Sequence, residues 1–235
     1  MTDETSPLRA AASIIVVRHQ PASAPHFLMI ERAQGMRFAG GAMVFPGGAV
    51  DPADVEHAQL LSPEGDVDDV AARIAAVREA IEEAGLVLGW DGVPPDAARS
   101  LALREALRSG VGLAQAAQAL DLAFDFSSLI PFARWCPPTR VLHKRYDTRF
   151  FIAHPPEWQN PVHDDREVIA NLWIRPAEAL DRHARPETAD VVGELIRLGR
   201  IDRIIFGLDI GQVRAEHPLP AQALAHDLTG ALAPR

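Results

Sequence analysis

The chain has 235 residues, enough for one large domain or one domain with insertions, and its 48% apolar content can bury a sizeable core. With 32 acidic against 23 basic residues, its net charge of −9 argues against a nucleic-acid or anionic-membrane partner. An anionic substrate would need a local device to hold it, such as a metal ion or a small arginine cluster. The single cysteine, Cys136, excludes an internal disulfide and a cysteine-rich metal site, in keeping with a reducing cytoplasm. Residues 1–10 lack a signal-peptide pattern, and the last residues are not a peroxisomal address. No apolar run approaches the roughly 18 residues a membrane span requires. The expectation is a cytoplasmic chain without a membrane partner.

Ala12–Val17 and Phe27–Ile30 read as strands, separated by the loop Pro21–Pro25. A connection containing Gly and Arg, Arg32–Met43, leads into Val44–Gly48, a short strand broken by a turn. Residues 49–68 read as an irregular acidic excursion. Val70–Ala84 carries strong helical signals, with Asp68 and Asp69 at its N-terminal end and Gly85 as a C-cap. After a Pro/Gly loop at Asp91–Asp96, Ala98–Leu107 and Leu113–Leu120 read as two helices. Leu129–Trp135, Arg149–Ala153 and Glu167–Ile174 read as strands, and Pro176–Leu180 and Thr188–Leu198 as helices. This alternation predicts an α/β chain with a mixed sheet and helices on both faces.

The stretch Arg78-Glu79-Ala80-Ile81-Glu82-Glu83-Ala84-Gly85-Leu86 carries the chemistry. At about 100° per residue, Glu79, Glu82 and Glu83 share one helix face, and Ile74, Val77 and Ile81 the opposite one. Three like charges within one turn repel, and a cation among them removes that cost. Ligands that are all oxygen point to a hard ion, Mg²⁺ or Mn²⁺. Upstream, Phe45-Pro46-Gly47-Gly48 forms a turn that lets backbone approach a ligand closely.

Together these segments resemble the signature of the Nudix hydrolases, which runs Gly, five residues, Glu, seven residues, then Arg-Glu-apolar-any-Glu-Glu-any-Gly-apolar. Arg78–Leu86 matches every specified position of the second half, and Gly48 matches the opening glycine. Asp54 stands where the family has its first Glu. Gly48 precedes Arg78 by 30 positions against 14 in the usual pattern, so 16 residues are inserted within about 52–69. A second likeness precedes the turn: Arg32, Ala33, Arg37, Gly41 and Phe45–Gly48 are in register with the coenzyme A motif of family members that cleave coenzyme A and its thioesters. Trp135–Thr139, Arg145–Phe151 and the two helices at 98–120 look like the same long-insert branch.

The resemblance implies one Nudix domain over 1–235, an α/β/α sandwich with a mixed central sheet, a helical insertion at about 94–125 and a signature insertion at about 52–69. It implies that Glu79, Glu82, Glu83 and the Gly48 carbonyl hold Mg²⁺ or Mn²⁺. Glu83 or Glu82 would act on the attacking water, and Arg78 would orient a glutamate through a salt bridge. Arg32, Arg37 and Phe45 would bind substrate, with Asp54 and Glu167 as further acids. The substrate would be a small-molecule diphosphate, coenzyme A or an acyl-coenzyme A, with ADP-ribose or NADH as the alternative within the family. A non-catalytic ligand-binding module is the alternative of another class, disfavoured by the full set of helix glutamates. Many members of the family are dimers, although no stretch of this chain marks an interface.

Overall fold

The run Ile14-Ile15-Val16-Val17 has no polar face, the pattern of a strand covered on both sides. In the computed structural model, which describes residues 8–18, 26–35, 43–135, 145–163 and 166–175, this run lies inside β1 (Leu8–Arg18). One edge of β1 pairs in parallel with β8 (Arg145–Ala153), and β7 (Ile130–Trp135) pairs antiparallel with β8. On its other edge β1 pairs antiparallel with β4 (Gly47–Ala49) at Ala11–Ser13 and with β2 (His26–Arg32) at Val17 and Arg18. Strand β2 also carries β3 (Met43–Val44) and β9 (Val168–Ile174), both antiparallel. The result is a mixed sheet of seven strands.

Alternate residues of β1 feed two cores. Ala12, Ile14 and Val16 join a cluster with Leu28, Phe151 and the helices. Ile15 and Val17 pack on the opposite face with Phe27, Met29, Phe45, Phe150, Ile152 and Ile174. The helices of the first face are α1 (Pro52–Leu61), α2 (Val67–Ala84), α3 (Ala97–Arg108) and α4 (Leu113–Ala119). The helices expected at Pro176–Leu180 and Thr188–Leu198 lie outside the described residues. Among the described residues no helix is long and apolar enough to cross a membrane.

Helix α1 corrects the reading of 49–68 as irregular. Asp51 stands at its N-cap, Pro52 supplies a preset φ where no amide bond is needed, and Asp54 Oδ2 accepts from the Asp51 amide at 2.9 Å. The cap sequence Asp-Pro-Ala-Asp is itself a helix-start signal. Helix α2 begins three residues before its predicted start, because the Asp66 side chain accepts from the Asp69 amide at 3.0 Å. It ends on Gly85, whose φ of 68° is the left-handed conformation a glycine adopts without strain.

The acidic face of α2 is covered, because α1 and β4 pack against this helix, and Glu83 is 6% exposed. Beyond α2, β5 (Trp90–Asp91) pairs with β6 (Ala123–Phe124), so the segment holding α3 and α4 leaves and rejoins the body at one point.

Candidate active site

The turn between β3 and β4 is drawn onto β1 by backbone and side chain together: Pro46 O accepts from the Ile14 amide at 2.9 Å and from Ser13 Oγ at 3.1 Å. A Cβ at position 47 would stand 2.6 Å from Ala12 O, and one at position 48 would stand 2.6 Å from the Glu79 carboxyl carbon. Both glycines are therefore required by close approach, the first to β1 and the second to α2. This closeness lets the Gly47 amide donate to Glu83 Oε2 at 2.9 Å. From the end of β2, Arg32 Nη1 donates to Glu83 Oε1 at 3.2 Å. Glu83 is thus gripped from the turn and from the strand at once.

Arg78 organises the other carboxylates. Its Nε donates to both Asp54 oxygens at 3.3 and 3.2 Å, and its Nη2 to Asp54 Oδ2 at 3.1 Å and Ala49 O at 2.8 Å. Its Nη1 donates to Glu79 Oε1 at 2.7 Å and Glu82 Oε1 at 3.3 Å. A planar fork on a fixed charge suits this, and one ammonium would not span it. The side chain of Asp54 is 1% exposed and that of Arg78 8%, so the pair is shielded from water.

Burial raises the carboxyl pKa of Asp54 and Glu82, opposed in each by Arg78. Glu79 is pushed up to about 7, by burial first and by repulsion from Glu82, against the pull of Arg78. Glu83 is pushed up to about 8, by burial first and then by repulsion from Glu79, while the Gly47 amide and Arg32 pull it down. Burial works against the charge on Arg78, but Glu79 and Asp54 outweigh it and hold the guanidinium above its ordinary value.

The fit to a divalent cation rests on these observations. Glu83 is buried and Glu79 partly buried, and both are oxygen donors, with the charge of Glu79 opposing that of Glu83. Gly48 has no Cβ to keep its backbone from the Glu79 carboxylate. That donor chemistry suits a hard ion. As the side chains stand, no group of three or more acids, His or Cys among the described residues surrounds a common point. Glu79 and Glu82 are turned to Arg78, and Glu83 to Gly47 and Arg32.

The candidates named from the sequence separate accordingly. Glu79, Glu82, Glu83, Arg78, Gly48 and Arg32 meet at one place. Asp54 is taken up by Arg78 and the Asp51 amide, so it anchors the arginine. Phe45 does not reach the site: it is fully buried in the core on the far face of the sheet, which corrects the substrate-binding role expected for it. Glu167 lies close enough to repel Glu83, and its carbonyl accepts from the Ala33 amide at 2.8 Å. Arg37 lies outside the described residues. Gly47 was given no role of its own from the sequence, although the Phe-Pro-Gly-Gly pattern contained it.

The raised carboxyl pKa values set a sign for stability. A glutamate that is ordinary when unfolded and raised when folded binds more protons in the native state. Its contribution is complete below the ordinary value near 4.5 and is lost as pH rises through about 8. The melting temperature of the chelator-treated protein should therefore fall from pH 6 to pH 8.5. A flat or rising profile by scanning calorimetry would contradict the buried, repelling pair.

The family described as the NUDT19 Nudix domain matches residues 61–191. An acyl-coenzyme A diphosphatase NUDT19 of Homo sapiens is 31% identical over 219 residues, covering 70% of this chain and 57% of that protein. Its counterpart of the same name from Gallus gallus is 27% identical over 216 residues, covering 68% of this chain and 56% of that one. This chain spans little more than half the length of these curated relatives. Among solved structures, a NUDIX hydrolase from Alicyclobacillus acidocaldarius superposes with a TM-score of 0.66 at 30% identity, covering 82% of this chain and 92% of that chain.

Proposed function

The chain belongs to the Nudix hydrolase family, and from that premise we propose that it hydrolyses the diphosphate bond of coenzyme A or an acyl-coenzyme A. The products are 4′-phosphopantetheine, or its acyl form, and adenosine 3′,5′-bisphosphate. The observation that carries this reading is the Arg32–Glu83–Gly47 contact, which joins the arginine segment of the coenzyme A motif to the helix glutamates. The names of the curated relatives support the substrate class.

Glu79, Glu82, Glu83 and the Gly48 carbonyl are the groups that would hold Mg²⁺ or Mn²⁺. When bound, such an ion neutralises diphosphate charge and acidifies a water. Glu83 receives the proton of the attacking water at a carboxylate oxygen, held in place by the Gly47 amide. Arg78 keeps the Glu79 and Glu82 carboxylates from splaying apart. Arg32, once freed from Glu83, offers its fork to a phosphate, with Arg37 as its neighbour in sequence. Glu167 is a second candidate acid because its charge lies near enough to oppose that of Glu83.

The test is a mass-spectrometric product assay on purified protein with Mg²⁺ and a panel of coenzyme A, an acyl-coenzyme A, ADP-ribose and NADH. Adenosine 3′,5′-bisphosphate with a phosphopantetheine product is the expected result. Cleavage of ADP-ribose or NADH alone would keep the diphosphatase chemistry and remove coenzyme A. No cleavage with Mg²⁺ or Mn²⁺ would favour a ligand-binding module.

A further inference from the structure

Helix α2 ends badly for its own chemistry. Glu82 and Glu83 sit in its last turn, at the negative end of the helix dipole, and that turn contains no basic residue. The final carbonyls also need donors. The Gly85 and Leu86 amides return to Ile81 O and Ala80 O at 3.0 and 3.1 Å, and the Val162 amide reaches Ala84 O at 2.8 Å. The two carbonyls left between these are those of Glu82 and Glu83 themselves.

Both are met by one side chain from another element. Arg104, on α3, donates to Glu82 O through Nε at 3.1 Å and Nη2 at 3.0 Å, and to Glu83 O through Nη2 at 3.3 Å. The residue is 7% exposed. Gly85 leaves room for it: a Cβ there would stand 3.2 Å from Arg104 Nη1. The cation that the last turn lacks is thus delivered from α3, on the backbone atoms of the two glutamates.

We propose that Arg104 is a positioning residue, which fixes the backbone from which Glu82 and Glu83 project into the site. This rests on the reading of those glutamates as the metal-holding and proton-accepting groups. It also gives the α3–α4 segment a role in catalysis. These contacts are to the backbone carbonyls of the two glutamates, so the effect passes through the helix end.

The experiment compares full-length wild type, Arg104→Met, Arg104→Lys and Leu107→Ala. Leu107 is a buried residue of the same helix, so its truncation loosens α3 without removing the guanidinium. Three quantities are read at a temperature where each protein is folded: the melting temperature, the Kd for Mn²⁺ alone by electron paramagnetic resonance, and kcat and KM for coenzyme A. Arg104→Met is expected to weaken Mn²⁺ binding and lower kcat by about 10- to 100-fold, the range of groups that orient ligands, with KM nearly unchanged. Arg104→Lys should recover only part, because one ammonium does not fork across two carbonyls. Leu107→Ala should lose melting temperature while keeping Mn²⁺ affinity and kcat.

Wild-type Mn²⁺ affinity and kcat in Arg104→Met, or a loss in Leu107→Ala as deep as that in Arg104→Met, would reduce Arg104 to a plain helix cap and overturn the proposal. A wild type that binds Mn²⁺ but leaves coenzyme A intact would remove the substrate alone, and the Mn²⁺ affinities would still decide Arg104. A wild type that binds no Mn²⁺ would remove both readings.

Discussion

Glu83→Gln is expected to fold and to turn over roughly a hundred- to ten-thousand-fold more slowly, the range over which a positioned acid–base group acts. The substitution keeps the shape of the side chain, and the amide oxygen still accepts from the Gly47 N–H. What it removes is the ability to take a proton from water. It also removes a buried charge that repulsion from Glu79 disfavours. The metal-free variant should therefore melt above the wild type near pH 8 despite losing the ion pair with Arg32. The steep decline with pH should flatten as well. Turnover by the product assay and calorimetry at pH 8 check the two halves separately. Full activity would remove Glu83 from the mechanism, and a lower melting temperature at pH 8 would mean that the Arg32 pair outweighs the desolvation.

The second large effect is on folding. Arg78→Met leaves the buried Asp54 and the partly buried Glu79 with no cation against them, and breaking a buried pair such as Arg78–Asp54 costs about 3–5 kcal/mol. Removing one partner is costlier than removing both, because the stranded charge is what destabilises. The double variant Arg78→Met/Asp54→Asn should accordingly recover part of the loss, a non-additivity expected of contacting residues. Urea unfolding midpoints measure it. An unchanged midpoint in Arg78→Met would show that water reaches Asp54 in solution.

Much of the sheet was legible because strand alternation and apolar runs are local signals. Ile14–Val17 announces a strand buried on two faces, and β1 is one. The glutamate helix was legible for the same reason, since period and capping are written within one segment. What covers its acidic face was not legible, because periodicity separates apolar from charged positions without saying what packs on the charged side. The cover is α1, and α1 was missed although Asp51, Pro52 and Asp54 spell its start. Phe45 failed in a related way. Its neighbours in the turn face the helix, but the pleat sends its ring to the opposite core. Arg104 had no local signal: one arginine among those of α3 becomes special only when the end of α2 lies beneath it.

The parallel pairing of β1 with β8 sets Leu8 against Arg145 and Val16 against Ala153. Contacts so remote in sequence are made late, after the helices and hairpins between them have had time to form. During synthesis β1, with its apolar run Ile14–Val17, waits with that edge open, for several seconds or more at ordinary rates of chain growth. An open, apolar strand edge invites pairing with other chains. The yield of folded protein from a cell should thus depend on how fast β8 arrives and on whether a chaperone covers β1 in the interval.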